Sequence, residues 1–413
     1  MIALVLYSLP ACVAAQYNIR DYGAVGDGIT DDTHAFTSAF TAASKAGGGS
    51  VVVPHPGSYV TGQFNLTSHT TFVVQTGAIV LGSTNHSRDY PVAPGGKKHV
   101  PWMLGIDVVN LTVTGGGVFD GQGWSFWHHT PSGMGPSRIP VESPMMFECR
   151  WCHNLTLRNV EFRNSQFWTI HPVSSTFVLI DQVTVTNPID SPNTDCIDPD
   201  SVEDMIIRNS TLACGDDHVS IKAGGRTRAG KPMASQRVLV ENCTLLHGQG
   251  LTIGSMVAHN VSDVTFRDIS VVGSVAGIRF KAVRSLGGVV ARVRYERVQF
   301  RTVGVMLIIN LDYHHEPLSS TPPVVRDISL VNITGWGILA SDAHCLPESP
   351  CKGFVLDNVL PKGSSEIVND YICEHITGST RGSISPFPRI CAGLNETNAQ
   401  ARSVWPMLPR HFL

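Results

Sequence analysis

Short apolar runs alternating with polar residues recur along the chain: Leu111-Thr-Val, Leu155-Thr-Leu, Val178-Leu-Ile, Met205-Ile-Ile, Val238-Leu-Val, Val264-Thr-Phe, Val293-Arg-Tyr, Ile328-Ser-Leu and Val355-Leu-Asp. Between Leu155 and Ile328 the steps are 23, 27, 33, 26, 29 and 35 residues. Most runs are followed by Asn or Asp and then a second strand-like run, as in Leu155-Thr-Leu-Arg-Asn159-Val-Glu-Phe. Period-two alternation turns one side of each run inward. Irregular steps mostly in the twenties, with extra residues at some turns, predict an all-β solenoid in which a repeat buries its apolar face only by stacking on its neighbours. Helix-pair repeats do not fit, because 39 Gly, 25 Pro and the β-branched residues break the windows a helix needs.

One helix is predicted, over residues 31–46, with Asp31 or Asp32 as N-cap and Gly47-Gly48-Gly49 as its stop. Its apolar set, Phe36, Phe40 and Ala43, is spaced for one face. Such a helix would cover the open N-terminal end of the solenoid and shield an edge that invites aggregation. The stretch after Leu360 would close the other end.

The chain has 413 residues, enough for two average domains, but long all-β folds often run as one unit. A single domain over residues 16–413 is the expectation. A formal net charge of −3 and no long basic run leave little to attract nucleic acid. Residues 1–15 are short and apolar and end in Val13-Ala14-Ala15, which reads as a signal peptide lacking the usual positive start; a buried N-terminal strand is the alternative. No other stretch reaches the ~18 uninterrupted apolar residues of a membrane span.

Nine Asn-x-Ser/Thr sequons, at Asn65, Asn85, Asn110, Asn154, Asn209, Asn242, Asn260, Asn332 and Asn395, support export. Ten cysteines fall to nine if Cys12 leaves with the signal. Cys149-x-x-Cys152 has no second pair at zinc-ligand spacing, so disulfides in an oxidising compartment fit better. Cys373 with Cys391 and Cys345 with Cys351 could close loops, leaving one thiol unpaired or bonded elsewhere.

The chemistry-bearing residues are two acidic clusters, Asn193-Thr194-Asp195 and Gly215-Asp216-Asp217, followed by Arg279 and Lys281. Asp195 and Asp217 are 22 residues apart, one repeat, so stacking brings them together. Arg279 and Lys281, at i and i+2 of a strand, point from the same face. Three carboxylates facing two cations suit hydrolysis of a glycosidic bond in an anionic sugar polymer. Taken singly, Asp pairs are ordinary turn chemistry, and Asp198 and Asp200 are read that way.

The opening from Tyr17 to Phe36 and the turn Gly115-Gly-Gly-Val-Phe-Asp-Gly-Gln-Gly123 resemble parallel β-helix carbohydrate enzymes. Asn193-Thr-Asp195, Gly215-Asp-Asp217, Gly250-Leu-Thr-Ile-Gly-Ser255, Arg279-Phe-Lys281 and Tyr313 fall in the order of the polygalacturonase family of glycoside hydrolases. This resemblance, over residues 17 to about 390, implies a right-handed parallel β-helix with a short N-terminal capping helix, and inverting hydrolysis of α-1,4-linked galacturonate without metal or cofactor. It implies a secreted or cell-wall enzyme whose partner is pectic polysaccharide, and we expect a monomer, with no nucleic-acid or membrane partner. By the family pattern Asp216 is the general acid and Asp195 and Asp217 hold the water. Arg279 and Lys281 would bind the substrate carboxylate. Asn193, Gln249, Tyr313 and His171 are further substrate-binding candidates, His171 being equally readable as structural.

Two positions depart from the family. Gln249 stands where the family commonly has His, and His247 or His218 could take over its supporting role. Cys196 replaces the usual Gly and would form a different subsite wall or a bond to another cysteine. These departures keep open rhamnogalacturonan or xylogalacturonan as the substrate, or a pectin-binding solenoid with little turnover. Inversion generally places acid and base carboxyls roughly 6.5–9.5 Å apart, whereas a separation near 5 Å goes with retention.

Overall fold

The computed structural model describes residues 15–127, 142–313, 321–363, 371–384 and 394–396. The first fourteen residues of the segment read as a signal peptide, and Cys391, lie outside them. Strands take up 59% of the structure and helix 7%, and the strands coil into a right-handed parallel β-helix. No helix among the described residues is long and apolar enough to cross a membrane.

The apolar runs stack in a single register. Leu111, Leu155, Val178, Met205, Val238, Val264, Val293 and Ile328 each pair with the next in parallel. Each is at most 1% exposed, so the column is the spine of the core. The ninth run is offset by one residue: Ser329 pairs with Val355 and Leu330 with Leu356. Phe354 therefore takes the core position that the sequence suggested for Val355, because a shift of one residue exchanges the two faces of a strand. The Asn residues after the runs have a specific task. Asn110, Asn154, Asn159, Asn209, Asn242, Asn332 and Asn358 all have φ between 51° and 58°, a left-handed bend that Asn tolerates better than most residues. Some also bond from coil to coil, Asn154 to Asn110 at 2.8 Å and Asn242 to Asn209 at 2.7 Å.

The predicted helix runs over Thr33–Lys45. Phe36, Ala39, Phe40 and Ala43 are buried, and the two Phe rings lie 5.1–6.2 Å from those of Phe64 and Phe72. Of the two candidate caps, Asp31 receives the Thr33 amide at 3.0 Å. Asp32 instead turns back to accept from the Val25 and Gly26 amides at 2.7 and 3.1 Å. Beyond the helix, Gly48 has φ 131° and a Cβ there would lie 2.4 Å from the His69 carbonyl oxygen, so the stop needs glycine.

Cys149–Cys152 and Cys345–Cys351 are disulfides, and Cys373 is also disulfide-bonded. Among the described residues Cys196, Cys214 and Cys243 are free and buried, three thiols where the sequence left one. They point into the core and pack as small apolar groups.

One face of the solenoid carries the candidate site. Its strands are Met103–Ile106, Phe147–Arg150, Ile170–Val173, Val219–Ala223, Leu251–Val257 and Ala276–Lys281, continuing into Val289–Asn310. Ile170, Ile197, Val219, Leu251, Ile278 and Leu307 pair in sequence and form its buried inner column. Alternation then puts the following residues, His171, Asp198, Ser220, Thr252 and Arg279, in a polar row on the outer face. An apolar column thus anchors a polar one, residue by residue.

Candidate active site

Asp195 and the pair Asp216-Asp217 lie on adjacent coils, joined by the Cys196 amide donating to the Asp217 carbonyl at 3.0 Å. One oxygen from each of the three carboxyls lies within 4.8 Å of the others. These are nearest-oxygen distances, shorter than the group-to-group separation that distinguishes inversion from retention.

The three carboxyls differ sharply in environment. Asp217 is fully buried and accepts from the Thr252 hydroxyl at 2.7 Å. The Lys281 ammonium sits 2.7 Å from its Oδ2, and Arg279 Nη1 lies 3.5 Å from its Oδ1. Burial opposes its ionisation, but Lys281, Arg279 and Lys222 outweigh that and bring its pKa down to about 2. Asp216 is half-buried, and its Oδ1 accepts the Asp217 amide at 2.9 Å. Burial, reinforced by the Asp217 charge, pushes its pKa up to about 6. Asp195 is 4% exposed, with its Oδ1 unpartnered. Burial raises it well above the usual carboxylate range; Asp198, Asp216 and Asp217 add to this and Lys222 counters it. The resting site therefore holds one firmly ionised carboxylate, Asp217, beside two whose ionisation burial opposes, and the titration of Asp195 and Asp216 belongs to the pair.

Arg279 and Lys281 project from one strand while Phe280 between them is buried in the core. Both cations lean on Tyr313, at 5.8 and 5.3 Å from the ring centroid. Gln249 does not hold a carboxylate: its side-chain oxygen accepts from Arg279 Nη1, while its backbone amide donates to the Asp216 carbonyl at 2.8 Å. It fixes the guanidinium that faces Asp217.

The two histidines proposed as substitutes do not reach the carboxylates. His218 is fully buried, its Nδ1 accepting from the Gly250 amide at 3.1 Å and its Nε2 donating to the Leu246 carbonyl at 3.2 Å. Burial lowers its pKa to about 4, so it is a neutral brace for the glycine turn. His247 donates from Nε2 to the Asn187 carbonyl at 3.1 Å. Positive φ at Gly248 and Gly250, 88° and 84°, breaks the alternation that would have put His247 on the face of residue 249.

His171 is buried in the polar row and bonds through Nδ1 to Glu148 Oε2 at 2.9 Å. Asn193 is exposed in a left-handed turn, two residues before Asp195. Cys196 is fully buried and free, so it lies beneath the acidic cluster rather than forming a subsite wall or a disulfide. Asp200 does brace a turn, accepting from the Gly224 and Gly225 amides at 2.7 and 3.0 Å. Asp198 does not: it is fully buried and ion-paired with Lys222, because its register faces Ser220 on the next strand. Thr252, Lys222 and Glu148 are the polar groups that sequence reasoning passed over. Ser220 and Lys222 alternate with the apolar Val219, Ile221 and Ala223 just after the acidic pair, a pattern that marks them as groove-facing. The acidic trio offers oxygens that could gather a divalent cation, but the Lys281 ammonium already supplies positive charge at Asp217.

Residues 44–381 match the family described as Glycosyl hydrolases family 28. The chain belongs to that family. Among similar proteins, a probable polygalacturonase of Vitis vinifera is 26% identical over 96% of this chain and 84% of its own length. An exopolygalacturonase of Zea mays is 27% identical over 89% of this chain and 88% of its own. An exopolygalacturonase from Thermotoga maritima shares the fold with a TM-score of 0.78 at 24% identity, covering 93% of this chain and 92% of the other. An endo-xylogalacturonan hydrolase from Aspergillus tubingensis shares it with a TM-score of 0.72 at 17% identity, covering 89% and 100%. As a member of family 28 the protein is a glycoside hydrolase, and the acidic cluster falls inside the matched region.

Proposed function

We propose that this family 28 hydrolase cleaves α-1,4-galacturonosidic bonds of polygalacturonate with Asp216 as general acid and Asp217, assisted by Asp195, as the base that activates water. The observation that carries it is the split in environment between neighbours: Asp216 is held protonated to about pH 6, while Asp217 is ionised above about pH 2. Two carboxyls driven apart in this way are the acid and base of a hydrolytic pair. Arg279 and Lys281 supply the cationic wall that a galacturonate carboxylate needs, Arg by its fork and Lys as a point charge.

Inversion is proposed from the state of the carboxylate oxygens. Retention would need a carboxylate oxygen free to bond to the sugar carbon. Asp217 has Thr252 and Arg279 on one oxygen and Lys281 on the other. Asp195 is almost wholly enclosed. Asp217 is engaged on both oxygens, which disfavours a glycosyl ester on it. The binding-only reading rested on Gln249, and it weakens here because the acid–base split arises from aspartates, lysine and arginine with no histidine involved. We further propose export to an extracellular or cell-wall setting, supported by the nine sequons and the disulfides.

Incubation with polygalacturonic acid, followed by chromatography of the products, tests the reading. Release of galacturonate or its oligomers, abolished in Asp216→Asn, supports it; monomer alone identifies attack from the chain end and a ladder identifies internal cleavage. Turnover of rhamnogalacturonan or xylogalacturonan with none on polygalacturonate would replace the substrate.

A further inference from the structure

Beside the acidic trio, the polar outer row contains a buried ion pair, Asp198–Lys222, to which the mechanism above assigns no step. Ser220 and Lys222 leave the strand Val219–Ala223 on the side of the polar outer row, while Val219, Ile221 and Ala223 are fully buried in the core. The Lys222 ammonium donates to Asp198 Oδ1 and to Ser220 Oγ, the latter at 2.8 Å. Ser220 in turn donates to the Gly254 carbonyl at 2.7 Å. The ammonium also sits 4.4 Å from the centroid of Trp168, a partly exposed ring of the groove. Lys222 is 4% exposed and Asp198 is fully buried.

That burial calls for a physical reason. Other ion pairs on the outer surface of the solenoid, such as Arg292–Asp263 and Arg297–Asp268, leave nearly half of the arginine side chain in water. Enclosing a lysine and an aspartate costs several kcal/mol per ion before their attraction is counted, so a buried pair is weak evidence for stabilisation. Its position points to the chemistry instead. Asp198 follows Asp195 by three residues, and Lys222 follows Asp217 by five.

We propose that Lys222 is a positioning residue of the hydrolytic step: its ammonium, locked to Asp198 and Ser220, lets Asp195 join Asp217 in activating water. The proposal rests on the hydrolase reading above. Four carboxylates, Asp195, Asp198, Asp216 and Asp217, face three cations, Lys222, Arg279 and Lys281. The shortfall is one charge, which the proton of a general acid fills. Glu148, Arg150 and His171 adjoin on the N-terminal side, with Glu148 bonded to both Arg150 and His171, and His171 also acts on Asp198. Arg279 and Lys281 pair directly with Asp217, whereas Lys222 pairs directly with Asp198 and acts through its charge on both Asp195 and Asp217. The Lys222 charge opposes the rise that burial and its three acidic neighbours impose on Asp195. Without Lys222 the cluster is two charges short, and a second proton settles on Asp195.

The full-length protein with Lys222→Met, Lys222→Arg and the double variant Asp198→Asn/Lys222→Met tests this. The readouts are kcat and KM on polygalacturonate from pH 3 to 7 and, independently of turnover, carboxyl titration by 13C NMR of Asp-labelled protein. Lys222→Met is expected to lower kcat by about tenfold or more with KM within about threefold, and to move the low-pH limb up by about one unit. Lys222→Arg keeps the charge and should hold the limb near its original place. The double variant removes one charge of each sign, restores the shortfall of one and should bring the limb back, and it also covers the case in which Lys222→Met fails to fold. A folded Lys222→Met with an unmoved limb and unmoved carboxyl titrations overturns the proposal, as does a rise in KM at unchanged kcat, which would make Lys222 a substrate ligand. A double variant still displaced like Lys222→Met overturns the charge count. A wild-type protein inactive on every pectic polymer refutes the hydrolase reading instead, and the NMR titration still reports on Lys222.

Discussion

Asp216→Asn should stabilise the protein while abolishing its activity, and the gain should depend on pH. The folded site raises the Asp216 pKa from 3.8 to about 6, roughly two units. The sign follows from linkage: below about pH 4 the carboxyl is protonated in both folded and unfolded states, and the fold bears no cost. Above about pH 6 it is ionised in both, and the folded state carries the full penalty of two units at 1.36 kcal/mol each, about 3 kcal/mol. Asparagine keeps an oxygen for the Asp217 amide, so the local hydrogen bond survives. With an unfolding entropy of about 2.1 cal/mol/K per residue, 3 kcal/mol corresponds to a rise in Tm of about 4 °C. Thermal melts of parent and variant at pH 4 and pH 7.5 provide the assay. The variant should melt higher at pH 7.5 and equally at pH 4, and its turnover should fall by about 10²–10⁴-fold. A variant that melts lower at pH 7.5, or by the same margin at both values, would refute the claim that Asp216 is held protonated against an ionised Asp217.

The pH–rate profile on polygalacturonate should fall as pH rises through about 6, where Asp216 loses its proton, and its low-pH limb should follow the first ionisation of the acidic cluster; an optimum above pH 7 would contradict it. Thr252→Val removes the 2.7 Å donor to Asp217. Loss of a buried bond to a charge, about 1.5–3 kcal/mol, predicts a fall of about 10–100-fold in turnover with the low-pH limb displaced upward, and Thr252→Ser should restore both. His218→Ala should lower Tm by leaving the Gly250 amide and Leu246 carbonyl unpaired, whereas His247→Ala should keep kcat within about threefold; a loss of about 10²-fold in a folded His247→Ala protein would give that histidine a catalytic task.

The coil architecture was legible because its signal is repeated. Eight apolar runs chosen by alternation fall into one paired column, and the helix face Phe36, Phe40 and Ala43 packs as its spacing required. The slip at Val355 arose because Phe354-Val355-Leu356 is apolar throughout, so alternation could not choose the face. The acidic trio and the Arg279–Lys281 pair were legible from their order and from one-repeat spacing. What sequence could not supply was geometry off the regular strand. His247 sits between strands where Gly248 and Gly250 turn the backbone, and Gln249 chooses Arg279 over a carboxylate only once the register of Thr252 and Arg279 is known. Asp198 resembled a turn residue because its partner Lys222 lies a full coil away. Thr252 lay within a motif already singled out, yet its hydroxyl gains a role only because Asp217 is buried beside it.

The fate of the anomeric carbon tests the hydrolytic mechanism most directly. Proton NMR of polygalacturonate digestion, followed from the first minutes before mutarotation, reads the configuration of the newly formed reducing ends. Water activated by Asp217 and Asp195, with Asp216 protonating the leaving oxygen, predicts that the α-linkage yields β-configured ends first. Initial release of the α-configured product would contradict it, and would assign a covalent, retaining mechanism to the acidic trio.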